Sequence, residues 1–225
     1  MHIEPGVVDG AKMAFAYVTA ASAAGYAAKL AVDDIKTHST ASFGLRTIIA
    51  TIGTFAFFEV LPHVPVGISE VHLILGTTLF LLMGAAPAAV GLALGLLVQG
   101  MFFAPTDLPM YFVNVTSLLV PLFVVSAAAK RIIPASKAYV DLGYSDVLKL
   151  SVLFQGGVVA WVAFWAFYGQ GVGAETFQAV WTFGAAYMLV IVVEPIADLA
   201  VLAGAKAVRG LERSGVFTKR LYNAA

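Results

Sequence analysis

The chain has 225 residues, 60% hydrophobic and only 12% charged, with zero formal net charge and a mean hydropathy of +0.91. Soluble domains carry about 25% charged residues, so a water-soluble core is excluded, and the balanced charge gives no basis for a nucleic-acid partner. With no cysteine, disulfides, thiolate metal sites and iron–sulfur clusters are excluded as well. Metal chemistry is left to histidine, carboxylate, amide and terminal amine.

The chain opens with Met1, His2, Glu4, Pro5, Gly6 and Asp9 and lacks the basic start of a secretory signal, so this segment is expected to stay in the mature protein. A membrane helix needs about 20 mostly apolar residues. Seven stretches qualify: 13–33, 43–61, 71–84, 86–104, 111–133, 147–169 and 177–205. The first is alanine-rich and expected inside the bundle. The third is short and nearly continuous with the fourth across Gly84-Ala85-Ala86-Pro87, which fits a tilted or partial span. Small residues (Ala20, Ala21, Ala23, Ala24 and Gly25; Gly91 and Gly95; Gly156 and Gly157) are expected to let helix backbones approach closely. Gln155 and Ser126 are expected to hydrogen-bond between helices. The reading is an all-α, polytopic transmembrane bundle of about seven spans, forming a single integral membrane domain over 1–225. Residues 1–10 form an N-terminal segment. Residues 206–225 form a tail long enough for a short amphipathic helix.

Charge orients the bundle. Lys29, Lys36 and Arg46 flank the first connection, and Lys130, Arg131, Lys137 and Lys149 flank the fifth span and the loop after it. Lys206, Arg209, Arg213, Lys219 and Arg220 fill the tail, which leaves Lys12 alone on the opposite side. Positive loops stay cytoplasmic. The N-terminus is therefore expected outside and the C-terminus in the cytoplasm, with the protein a multi-pass component of a bacterial plasma membrane.

No Gly-rich loop ending in Gly-Lys-Ser/Thr is present, nor a His-Glu-x-x-His or Gly-x-Ser-x-Gly motif. The chain is not expected to bind a nucleotide or to be an enzyme. Histidine is the commonest protein metal ligand. Of the four, His38 falls on the cytoplasmic side, while His2, His63 and His72 lie at or near the outer face. Methionine before a bulky residue is not trimmed, so Met1 offers a free amine of pKa about 7.7–8. That amine, the His2 backbone nitrogen and a His2 ring nitrogen can form two fused chelate rings, and one further imidazole completes a planar four-nitrogen set. Such a set suits Ni(II) or Cu(II).

The opening Met1-His2-Ile3-Glu4-Pro5-Gly6 resembles the start of the CbiM/NikM family, the substrate-capture subunits of energy-coupling-factor transporters for cobalt and nickel. So does the block Phe55 to Val60 followed by Val64-Pro65-Val66-Gly67-Ile68-Ser69-Glu70-Val71-His72-Leu73. A third resemblance lies in Met83 to Ala89 with Leu97-Val98-Gln99-Gly100-Met101-Phe102-Phe103, and a weaker one at Asn114. The likeness covers the first half well and the second half by hydropathy only. It implies that the Met1 amine, the His2 nitrogens and His72 ligate Co(II) or Ni(II), with Asn114 and Gln99 lining the site. Glu70 stands where the family has a small or uncharged residue and bears on the charge of the site. His63 has no family counterpart and is at most a point of arrival for the ion.

The family further implies as partners a transmembrane coupling component, ABC ATPase subunits and a small accessory membrane subunit, all within the lipid bilayer. Glu194 and Asp198, four apart around Pro195 near the inner end of the last span, are ionisable residues in a span and functional by default. They are candidates for docking the coupling component; alternatively they snorkel to the basic boundary. The alternative function is a stand-alone channel or secondary carrier for a divalent metal that uses this pair.

Overall fold

The computed structural model describes residues 3–224. Helices dominate: α1 Met13–Thr37, α2 Thr40–Phe55, α3 Gly76–Met83, α4 Ala85–Phe102, α5 Tyr111–Ile132, α6 Tyr144–Gln170 and α7 Ala174–Ala207. α2 runs on through a wider π turn, Ala56–Val60, into a small antiparallel hairpin of β1, Val64–Val66, and β2, Ser69–Val71. Five helical segments are long and apolar enough to cross a bilayer. They are α2 with its π turn, α4, α5 with the 3-10 turn Pro105–Met110 before it, α6 and α7. α1 has the length but only alanine-level hydropathy; it buries Ala16, Ala20, Ala23 and Ala27, one face at helical spacing.

The predicted third span departs most from expectation. Only Gly76–Met83 is helical, 8 residues or about 12 Å at 1.5 Å per residue. The strand Val71 and the irregular His72–Leu75 lead into it. Leu75, at φ +51°, turns the chain into the helix, and Gly84, at φ +89°, turns it out again into α4. Close packing falls where the small residues predicted it in part. A Cβ on Gly91 would sit 2.3 Å from Ala50 Cβ, and one on Gly95 2.6 Å from Thr54, so α4 crosses α2 almost backbone to backbone. Gly157 meets Pro121 in the same way, whereas Gly25 and Gly156 face open space.

Connections gather at two poles. At one, Lys12 Nζ donates to Gly169 O at 2.6 Å and Ile3 bridges Ser69. At the other lie the α1–α2 turn, Gly84, the α5–α6 loop and the C-terminal segment. That segment is not an amphipathic surface helix. It forms short 3-10 turns, Arg209–Leu211 and Lys219–Leu221, and straps the pole. Ser42 Oγ donates to Gly215 O (2.7 Å), Thr218 N–H to Leu82 O (2.8 Å) and the Arg220 guanidinium to Pro134 O and Ala135 O (2.9 and 2.8 Å), with Leu221 fully buried. Gly215, at φ +72°, breaks the helical path.

Candidate metal site

The hairpin sets the geometry. Its register pairs Val64 with Val71, Pro65 with Glu70 and Val66 with Ser69. Gly67 takes the turn at φ +64° and lies so close to α7 that a Cβ would sit 2.3 Å from Ala179 O; no other residue fits there. Ile3 adds itself to this edge through an antiparallel bridge to Ser69, and its N–H donates to Asn114 Oδ1 at 2.8 Å. Ile3 is fully buried. The described chain thus begins against the strand that leads into His72. Met1 and His2, the predicted chelate, lie outside the described residues.

His72 is 3% exposed, with its Nδ1 3.4 Å from Leu73 O and its ring edge-on to Phe58, centroids 4.7 Å apart. Gln99 on α4 and Asn114 on α5 are buried and line one small cavity together with Asp107 and Tyr111. Gln99 Oε1 and Asn114 Nδ2 have no hydrogen-bond partner among the described residues. Asp107 escaped the sequence reading. It stands in the 3-10 turn Pro105–Met110, and an acid between Pro105 and Pro109 at the outer pole was the available signal. Glu70 is half-buried on β2. His63 is exposed in the link before β1, with Nδ1 3.4 Å from Leu61 O, and does not join the cavity. Among the described residues no three of His, Asp and Glu converge to hold a metal.

Glu194 and Asp198 are not at a boundary. They are 0% and 1% exposed, inside the bundle on α7. Glu194 Oε1 accepts the N–H of Ile74 and of Leu75, both at 2.9 Å, and Oε2 accepts from Gln155 Nε2; Asp198 Oδ1 accepts from Thr78 Oγ1. The physical reason is the broken third segment. Its free N–H groups lie where no water can serve them, and the carboxylate does. The pair faces α3 and α6 rather than a snorkelling or docking surface, and the expected hydrogen bond of Gln155 is made within this cluster.

A bundle of long apolar helices with its polar side chains turned inward defines a multi-pass integral membrane protein. The chain belongs to the CbiM family, the cobalt uptake substrate-specific transmembrane region, whose model matches residues 2–210. The match runs through the second half, where the sequence offered hydropathy alone. No curated protein and no solved structure matches the chain. As a member of that family it is a membrane component of cobalt uptake, a transport part.

Proposed function

We propose that the chain is the substrate-capture subunit of an ATP-driven energy-coupling-factor importer, taking Co(II) or Ni(II) at the pole that holds Ile3, Ser69 and His72. The Met1 amine, the His2 backbone and ring nitrogens and His72 are the proposed ligands; Asn114 and Gln99 line the site, and Glu70 adds charge beside it. The anchoring of Ile3 carries this reading, since it leads the start of the described chain to β2 and Asn114. The described His, Asp and Glu residues supply no metal cluster of their own, which fits ligands contributed from residues 1 and 2. Four nitrogens in a plane suit Ni(II) in particular.

The proposed topology has seven passes, the third completed by extended chain and α3, with the N-terminus outside and the C-terminus cytoplasmic. The concentration of every Lys and Arg but Lys12 toward one side supports it. Energy then comes from a transmembrane coupling component and ABC ATPases, with a small accessory membrane subunit completing the set; the missing phosphate-binding loop is consistent with this division of labour.

The test is metal content and affinity of the purified chain in detergent, beside His2→Ala and a form with one residue added ahead of Met1. The expected outcome is one ion per wild-type chain and none in either variant. Binding that survives the added residue removes the amine from the ligand set and leaves His63, His72 and Glu70.

A further inference from the structure

The segment carrying His72 has no regular structure of its own to hold it. Between β2 and α3 it is irregular, and it enters α3 through Leu75 at φ +51°, ψ 33°. A bulky residue stays in that left-handed conformation only where its surroundings fix it. The fixing group is the Glu194 carboxylate. Glu194 Oε1 takes the N–H of Ile74 and of Leu75, just past His72-Leu73, while Gln155 holds Oε2. At its other end the same hairpin is pinned to α7 by the contact of Gly67 with Ala179. α7 therefore grips the His72 loop on both sides.

We propose that Glu194 is a positioning residue for metal capture: its carboxylate, steadied by Gln155, clamps the backbone beyond His72 and so sets where the imidazole stands. The inference rests on His72 being a ligand. Glu194 acts through the loop, not on the ion. Groups that orient a metal-binding histidine typically cost about 10- to 100-fold in affinity when removed. The clamp depends on hydrogen-bond acceptance, not on net charge. A glutamine at position 194 can still accept both N–H groups through its amide oxygen, and the Gln155 amide can turn its own Oε1, which has no partner among the described residues, toward the new amide N–H.

The experiment uses the full chain purified in detergent, titrated with cobalt, with the visible absorption bands of bound Co(II) read as a report on ligand number and geometry. Glu194→Leu should lose about tenfold or more in affinity and shift the bands, while Glu194→Gln should stay close to wild type in both. Wild-type affinity and bands in Glu194→Leu overturn the proposal, as does a Glu194→Gln loss equal to that of Glu194→Leu. Should Glu194→Leu fail to fold, the exchange Glu194→Gln with Gln155→Glu decides. It keeps an acceptor on the loop and the bond between the two side chains, so wild-type binding supports the clamp and a folded but non-binding exchange overturns it. His72→Ala separates the two layers. If it binds like wild type, the ligand reading fails; if it loses the metal while Glu194→Leu does not, the clamp alone fails.

Discussion

Asn114 ties the start of the described chain to α5. Its Oδ1 takes the Ile3 N–H at 2.8 Å, and both residues are buried. Leaving a buried donor unmet costs about 1–3 kcal/mol. Asn114→Leu removes the acceptor, so Ile3 and the residues before it lose their anchor on α5. We expect cobalt affinity to fall about tenfold, the equivalent of about 1.4 kcal/mol, in a chain that still folds. Gln99→Leu should cost less through this route, because Gln99 Oε1 holds no described residue in place. Equilibrium titration of the two variants side by side measures the difference; equal losses would mean that both amides act on the ion and not on the chain. Asn114 and Gln99 were reachable from the sequence only by their resemblance to family positions. Asp107 was marked in the sequence only as an acid between two prolines; that it turns toward a cavity shared by α4 and α5 is visible only in the fold.

α3 is a helix of two turns whose ends both lie within the protein. Glu194 accepts the N–H groups of Ile74 and Leu75 just ahead of its first residue, and at the other end Arg46 Nη1 donates to Met83 O at 2.5 Å while Thr218 N–H donates to Leu82 O. Hydropathy foretold that this stretch was too short for an ordinary span. It could not foretell the partners, because each comes from a distant part of the chain. Arg46 is the clearest case: read by charge it belongs with the cytoplasmic flanks, yet it is 0% exposed, with its guanidinium bidentate on Asp34 at 3.2 and 2.5 Å. Arg46 is buried while Asp34 keeps some exposure, so Arg46→Leu should lower thermal stability in detergent, by less than the about 3–5 kcal/mol lost when one partner of a fully buried pair is removed. Arg46→Lys should recover only part of it, since one ammonium cannot hold Asp34 in a fork and reach Met83 O as well. A melting curve for Arg46→Leu that overlies the wild type would show that the end of α3 needs no cap.

Across the whole molecule, periodicity and hydropathy located every long helix to within a few residues, because each carries its own apolar face. What they could not locate is the strap. Residues 214–222 are short and glycine-broken, and their structure comes from what they touch. One of those touches is titratable. Lys219 N–H donates to His38 Nε2 at 3.2 Å, and His38 Nδ1 sits 3.3 Å from both Asp34 O and Asp34 Oδ1. The Lys219 bond needs an unprotonated Nε2. Burial pushes the His38 pKa below its ordinary 6.5; Asp34 pulls it up, and Arg46 and Lys219 push it down. The released histidine therefore binds a proton more readily than the docked one. The bond's contribution is complete above pH 6.5 and is lost as pH falls through the lower value of the docked state. Amide hydrogen exchange over residues 214–222, corrected for the intrinsic pH dependence of exchange, should show the strap protected at neutral pH and loosened in acid. His38→Gln offers a neutral acceptor in place of the imidazole and should flatten that dependence. Persistence of the same acid loosening in His38→Gln would show that His38 is not the sensor.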